Sequence, residues 1–215
     1  MFTGLVEETG TVAAIKKQNN GAVISINCKK VLDDLKIGDS IALDGACQTV
    51  TKFTDSGFEV ETSAETLNLT ILNDYRQGQV VNLERAMAAN RRFGGHIVSG
   101  HIEGIGIFLR KEKQGLAYNF YFSAPEEIMK YLIYKGSVSI NGISLTIASV
   151  AENMFSVAVI PATIEHTNLQ FLDPGGKINL EPDILAKYVE KFVGKYDNMT
   201  GNINENYLKK HGFIE

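Results

Sequence analysis

The chain has 215 residues, which at about 150 residues per domain means one to two domains, and its 21 Lys+Arg against 25 Asp+Glu leave a formal charge of -4. That balance argues against nucleic acid or an anionic membrane as the main partner, and 44% hydrophobic residues with only 4 Pro describe a globular chain rather than a disordered one. No apolar run approaches the roughly 18 residues of a membrane span, and the start Met1-Phe2-Thr3-Gly4 has no signal-type stretch, so a cytoplasmic address is expected.

Along the chain, Ala22, Ile24, Ile26 and Cys28 alternate with Val23, Ser25 and Asn27, the period-two pattern of a half-buried strand, with Cys28 as a core residue. A short helical patch is expected over residues 31–35. Phe58 and Val60 then alternate with Glu59 and Glu61, and a helical turn follows Thr66. Pro125 beside Glu126 and Glu127 favours a helix over residues 125–134, since Pro and acidic residues suit a first turn. Another short turn follows Thr163. Over residues 183–193, Ile184, Leu185, Tyr188, Val189, Phe192 and Val193 form one apolar helical face, suited to packing on the preceding domain or to bundling with other subunits. The tail 194–215 is polar and expected to be partly mobile.

A repeat organises these elements. Asp44-Gly45-Ala46-Cys47-Gln48-Thr49-Val50 lies over Asn141-Gly142-Ile143-Ser144-Leu145-Thr146-Ile147 at an offset of 97 residues, and Val81-Asn82-Leu83-Glu84 lies over Ile178-Asn179-Leu180-Glu181. Thr66 matches Thr163, and Ser40 matches Ser137. Near the start the offset slips by one, so that Gly4-Leu5-Val6 lies over Gly100-His101-Ile102. Short strands bounded by Gly-Asp, Asp-Gly and Asn-Gly turns, about six per copy, predict an all-β dominated chain. It holds two tandem six-stranded antiparallel Greek-key barrels (1–96 and 97–182) followed by a C-terminal α-helix and tail (183–215).

Polar residues repeated at matching turns suggest two related pockets. The informative difference is Cys47 against Ser144, a thiol and a hydroxyl at equivalent positions, although a free Cys is more often a small core residue. Two cysteines offer no disulfide framework and no zinc spacing. His96 and His101 lie five apart without thiolate or carboxylate partners, so a structural or proton-transferring role is expected in place of a metal, and no dinucleotide or phosphate loop is present.

Met1-Phe2-Thr3-Gly4, the Cys47 and Ser144 segments, Glu65-Thr66-Leu67, Val81-Asn82-Leu83-Glu84-Arg85-Ala86 and Gly94-Gly95-His96-Ile97-Val98-Ser99-Gly100-His101 together resemble the alpha-type riboflavin synthase family over essentially the whole chain. Gln48 stands where some members have Leu. The resemblance implies a dismutation of two molecules of 6,7-dimethyl-8-ribityllumazine into riboflavin and 5-amino-6-ribitylamino-uracil, with no cofactor and no metal. It implies one site from Gly4, Leu5, Val6, Ser144, Leu145, Thr146, Ala158, Val159, Ile160, Pro161, Ala162 and Thr163. The other is implied at Cys47, Gln48, Thr49, Glu61, Thr62, Ser63, Ala64, Glu65, Thr66, Gly100, His101, Ile102 and Lys135. Phe2, Ser40, Cys47, His101, Ser144 and Asp183 are its candidates for chemistry or positioning. It also implies a homotrimer contacting through the helix from Asp183, and in some cases a surrounding lumazine synthase shell. Two alternatives are a non-catalytic lumazine- or flavin-binding antenna protein and the flavin-binding barrel of reductases, whose Arg-x-Tyr-Ser/Thr signature is absent.

Overall fold

The computed structural model describes residues 1–199 and 205–213. It divides into two units, Met1–Asp183 and Ile184–Glu215. In the first, β1 (Glu8–Gln18), β2 (Gly21–Asn27), β3 (Ser40–Leu43), β4 (Ala46–Thr54), β5 (Gly57–Ser63) and β6 (Val80–Arg85) close a barrel in the order β1-β2-β5-β4-β3-β6. The second copy, β7 (Gly104–Gln114), β8 (Ala117–Ser123), β9 (Ser137–Ile140), β10 (Ile143–Ala151), β11 (Met154–Val159) and β12 (Lys177–Pro182), closes in the corresponding order β7-β8-β11-β10-β9-β12. The expected pair of six-stranded antiparallel barrels is therefore what the chain forms.

Closure needs sharp corners, and each copy makes them at matched places. Register shifts fall at Val12/Ala14 in β1 and Val50/Lys52 in β4, and again at Phe108/Arg110 in β7 and Ile147/Ser149 in β10. An extra residue on one strand bends it and tightens its twist, which lets a short sheet meet its own edge. Inside, the first barrel is aliphatic, with Ile24, Ile41, Val60, Val81 and Leu83 fully buried; the second is aromatic, with Phe108, Phe120, Phe122 and Phe155 in one cluster. Neighbouring rings there lie 5.4 to 5.6 Å apart, the spacing of favourable tilted and offset pairs. Cys28 is buried, and desolvation pushes its thiol up to about 12, which makes it inert core material.

Helices differ from expectation in length. The first patch is a single 3-10 turn, Lys30–Asp33, which seats Val31 against the barrel floor. The matching segment is helical only as α2 (Glu126–Met129), after α1 (Ala64–Leu69), and it does not run to residue 134. Beyond Met129 the backbone tightens, with Tyr131 N–H donating to Ile128 O and Leu132 N–H to Met129 O, because Ile128, Met129 and Leu132 must all face the barrel end. Thr163 lies within α3 (Pro161–Glu165). In the second unit, α4 runs over Ile184–Met199, past the expected end at Val193, and α5 covers Glu205–Lys210, so part of the tail is helical; the rest of the expected mobile tail (200–204, 214–215) lies outside the described residues. Leu185, Tyr188, Val189, Phe192 and Val193 on α4 are exposed, as a face at i, i+3, i+4, i+7 and i+8.

The barrels meet across a pseudo-two-fold axis. Gly45 and Gly142 face each other so closely that a Cβ on either would lie 2.7 Å from the other's backbone nitrogen, and both have positive φ (82° and 76°). Around them, matched asparagines cross over: Asn82 Nδ2 donates to Asn141 O at 2.9 Å, and Asn179 Nδ2 donates to Asp44 O at 2.8 Å. Asn168 N–H donates to Asn82 Oδ1 (2.7 Å), and Ile71 N–H donates to Asn179 Oδ1 (2.8 Å). Symmetry breaks at Asp44, whose partner position holds Asn141. The Asp44 carboxylate is fully buried and takes hydrogen bonds from Asn82 N–H (2.7 Å), Asn168 Nδ2 (2.9 Å) and the Tyr75 hydroxyl (2.7 Å).

Desolvation raises the Asp44 carboxyl to about 7, and those three donors only partly offset it. A raised native value contributes stability that is whole below the unfolded value near 4 and is lost as pH climbs through about 7. Asp44→Asn keeps an acceptor for Asn82 and turns a donor to Tyr75. Urea unfolding midpoints of this variant should therefore decline less between pH 5 and 8 than those of the parent; parallel curves would refute the assignment.

Candidate active sites

Each repeat begins with a strap that leaves its own barrel and lies on the other. Phe2 and Val98 pair as an isolated antiparallel bridge, with Phe2 N–H donating to Val98 O at 2.7 Å and Val98 N–H to Phe2 O at 3.2 Å. Past that bridge, Ser144 N–H on β10 donates to Gly4 O, and Cys47 N–H on β4 donates to Gly100 O, each at 2.8 Å. So residue 4 reaches the second barrel and residue 100 the first. A buried carboxylate clamps each strap: Glu84 on β6 accepts from Thr3 N–H (2.8 Å), Thr3 Oγ1 (2.7 Å) and Gly4 N–H (3.0 Å). Glu181 on β12 accepts in the same way from Ser99 N–H (2.6 Å), Ser99 Oγ (2.7 Å) and Gly100 N–H (3.0 Å). Desolvation raises both carboxyls and the hydrogen bonds pull them back, as expected of acceptors held in a nearly dry clamp.

The straps require glycine. At Gly4 (φ +75°) a Cβ would fall 2.6 Å from Ser144 Cβ, and at Gly100 (φ +83°) it would fall 2.6 Å from Cys47 Cβ and 2.8 Å from the Phe2 ring. Phe2 is completely buried with Ala42 and Val98 against Cys47, so it supports the first site from behind.

Around Cys47 opens a cavity of about 240 Å³, lined by Ala46, Cys47, Glu65, Thr66, Leu69, Thr70, Gly100, His101 and Ile102. Thus Cys47, Glu65, Thr66, Gly100, His101 and Ile102, read as one site from sequence, do come together. Helix α1 forms one wall; the Ser63 hydroxyl caps it by accepting from Thr66 N–H (3.1 Å), and Thr70 Oγ1 donates to Thr66 O (2.6 Å). Glu61, Ser63 and Ala64 are exposed on the approach to that helix, and Thr49 is exposed on β4. Of the residues expected at the second site, Gly4 is buried while Leu5, Val6, Ser144 and Thr146 are at least partly exposed; Ala158 and Ile160 before α3 and Pro161 and Ala162 within it are exposed, and Thr167 Oγ1 donates to Thr163 O (2.6 Å), the counterpart of Thr70 on Thr66.

Several expected residues stand elsewhere. Gln48, Thr62, Leu145 and Val159 point into the barrels, since their neighbours along the strand point out; Thr62 Oγ1 donates to Gln48 Oε1 at 2.8 Å, and Leu145 and Val159 pack in the second core. Only their backbone is open to a ligand. Lys135 (φ +64°) is exposed on the turn before β9, its N–H donating to Ile147 O, and it does not line the Cys47 cavity. Ser40 faces Thr49 across β3 and β4 and lines a different hollow of about 160 Å³, with Asp34, Arg85 and Arg91. Burial would raise the Glu7 carboxyl nearby, but Arg85 and Arg91 overcome it and bring it down to about 2. Asp183, just past β12, is half-buried and close enough to His96 for its charge to act on the ring. Among the described residues no cluster of three or more His, Cys, Asp or Glu is arranged to hold a metal ion.

Glu84 and Glu181, both in the repeated Asn-Leu-Glu segment, are site-forming residues that the motifs alone do not single out. The partner of His96 is likewise set by the fold. His96 is buried, and its Nδ1 lies 2.7 Å from Ser144 Oγ.

Comparison with known proteins agrees with the repeat of two barrels. The model of the lumazine binding domain family matches residues 3–86 and again 99–183. The fold and its doubled site therefore define a protein of two lumazine-binding domains. Over 215 residues the chain is 45% identical to the riboflavin synthase of Actinobacillus pleuropneumoniae, covering 99% of this chain and 100% of that protein. It is 42% identical over 215 residues to that of Bacillus subtilis (strain 168), with the same coverage. With the riboflavin synthase of Photobacterium phosphoreum it shares 40% over 217 residues, all of both chains. The chain belongs to the riboflavin synthase family. Solved structures of LumP with 6,7-dimethyl-8-(1'-D-ribityl) lumazine and with riboflavin share its fold (TM-scores 0.77 and 0.79), each at 21% identity over 85% of this chain and 99% of the other.

The strap geometry sets a stability test. Gly38 also has positive φ (+93°) but would place a Cβ in open space, whereas Gly100 would not. Gly38→Ala should cost about 1 kcal/mol, for backbone conformation alone. Gly100→Ala should cost about 2–4 kcal/mol, because overpacking adds to it. Equal losses by urea denaturation would mean that the strap does not press on Cys47 and Phe2.

Proposed function

We propose that the chain is a riboflavin synthase that acts on 6,7-dimethyl-8-ribityllumazine, one molecule giving up a four-carbon unit to a second, with riboflavin and 5-amino-6-ribitylamino-uracil as products. The single observation that carries this reading is the duplicated strap-and-strand geometry: two straps held alike on two like barrels suit two copies of one flat bicyclic ring. Donor and acceptor are the same compound, so a duplicated domain is the economical way to hold both, and orienting them supplies a large part of the rate.

The chemistry needs the 7-methyl protons of the acceptor to become acidic and the donor ring to accept a nucleophile at the adjacent carbon. Backbone N–H and C=O groups along β4, β10 and the straps suit the alternating acceptors and donors of the pyrimidine edge, where negative charge develops. Our assignment places Cys47, or a water that it positions, on the nucleophile side, with His101 across the same cavity to move a proton. Phe2 holds Cys47 in place. Ser40 and Asp183 lie at the margins of the first barrel and the second, and in our reading they act where two subunits meet.

That reading takes the protein as a homotrimer in which the first barrel of one subunit faces the second barrel of its neighbour, so that the reacting pair of rings spans the boundary. The exposed apolar face of α4 is what supports it, since five large apolar residues in one stripe are the pattern that another helix covers. The proposed location is the cytoplasm. An antenna protein would hold the ring without turning it over.

Incubation with the lumazine alone separates the two: the enzyme should release riboflavin, while a stably bound lumazine and no riboflavin would exclude it. Cys47→Ser should slow turnover more than tenfold with riboflavin affinity largely kept. Unchanged turnover would make Cys47 a packing residue.

A further inference from the structure

The connection Gly94-Gly95-His96 lies over the second site. A Cβ on Gly95 would fall 1.9 Å from Thr3 O and 3.0 Å from Ser144 Cβ, and one on Gly94 would fall 2.7 Å from Leu5 Cδ1. His96 N–H donates to Thr3 O at 3.2 Å, so the segment is stitched to the very strap that Glu84 clamps. This brings the His96 ring onto Ser144, with Nδ1 at 2.7 Å from Oγ. The other strap places His101 in the Cys47 cavity, but no hydrogen bond joins that ring to the thiol among the described residues; Phe2, Ala42, Val98 and Gly100 pack against Cys47.

A second observation favours one direction for that hydrogen bond. His96 is only 7% exposed, and its Nε2 is buried without a hydrogen-bond partner among the described residues. An imidazolium would need acceptors for both its N–H groups, and one is lacking; burial also favours the neutral ring, although the charge of Asp183 pulls the other way. Two neutral tautomers remain. One carries its proton on Nε2, leaving a buried N–H unpaired, and takes the Ser144 proton on Nδ1. The other carries its proton on Nδ1, donates it to Ser144 Oγ, and leaves only a bare lone pair at Nε2. Unpaired buried N–H groups are the rarer and costlier defect, so the second arrangement wins.

We propose that His96 is a positioning residue which donates its Nδ1 hydrogen to Ser144 Oγ and so aims the serine's own proton outward, making Ser144 a hydrogen-bond donor to the ligand in the second site. Its target is an acceptor atom on the bound heterocycle, a carbonyl oxygen or an unprotonated ring nitrogen. This is the reverse of an activated serine, whose proton passes to the histidine. The two barrels then differ in kind: the first offers a thiol, and the second a fixed donor. The identity of the ligand rests on the lumazine reading; the tautomer does not.

Nitrogen-15 NMR of the full chain labelled at histidine reads the tautomer directly, with the His96 signals identified by their loss in His96→Asn. The expected result is a neutral ring protonated at Nδ1. In Ser144→Ala, where the acceptor is gone, the ring should move toward protonation at Nε2. Turnover supplies the second readout. His96→Ala should lower kcat/KM about tenfold, the loss of one aligned hydrogen bond. His96→Asn, whose amide nitrogen stands near the former Nδ1, should recover most of that loss. His96→Ala combined with Ser144→Ala should fall no further than the worse single change. A wild-type ring protonated at Nε2, or a His96→Asn variant as impaired as His96→Ala, overturns the proposal. An Nδ1-protonated ring in a protein that makes no riboflavin upholds the histidine's role and rejects the catalytic reading instead.

Discussion

The arrangement hangs on two buried carboxylates, Glu84 and Glu181, each holding a strap that serves the opposite barrel. Three hydrogen bonds converge on each carboxylate, from a hydroxyl and two consecutive backbone N–H groups, and the distances in the two clamps agree to within 0.2 Å. Charge-assisted bonds of this kind are among the strongest a chain can make, and breaking one partner leaves a desolvated acceptor behind. Because the straps cross, neither site is complete on its own repeat. Catalytic geometry and the pairing of the barrels are thus one structural fact: whatever loosens the pseudo-two-fold contact also withdraws residue 4 from Ser144 and residue 100 from Cys47.

Duplication brought shape, and small departures from symmetry brought chemistry. Asp44 opposite Asn141 and Asn168 opposite Ile71 make the barrel contact directional, since only one barrel brings the Asn168 amide to the Asp44 carboxylate. Cys47 opposite Ser144 gives the cradles different functional groups. The buried His96 ring adds a further difference, because it fixes one hydroxyl and leaves the thiol alone. A reaction between two identical molecules needs this kind of asymmetry, since one must give and the other receive.

Much of this was legible in the residues. The offset of 97 located both barrels, the Asp-Gly and Asn-Gly turns located β3–β4 and β9–β10, and the family resemblance grouped Cys47, Thr66 and His101, which line one cavity. Other features escaped for physical reasons. A motif three residues long on a strand cannot put three side chains on one face; Val50 and Ile147 point inward, so Gln48 and Leu145 had to as well, and strict alternation already contained that correction. The helix expected over residues 125–134 stopped at Met129 because apolar spacing does not separate an α-helical turn from a 3-10 one. His96 could not be paired from sequence at all, since Ser144 is 48 positions away and only the fold brings them together. Glu84 and Glu181 were visible as repeats, but their partners Thr3 and Ser99 share nothing more than a hydroxyl.

Riboflavin titration calorimetry on Glu181→Gln and Glu84→Gln tests whether each site depends on a strap from the other repeat. In each, an amide N–H replaces an acceptor and opposes a strap N–H. The parent should show two ligand-binding events per chain, with Glu181→Gln weakening the one that Thr66→Ala, in the Cys47 cavity, also perturbs, and Glu84→Gln weakening the one that Ser144→Ala also perturbs. If both clamp variants weaken the same event, or neither weakens any, the straps do not complete the sites.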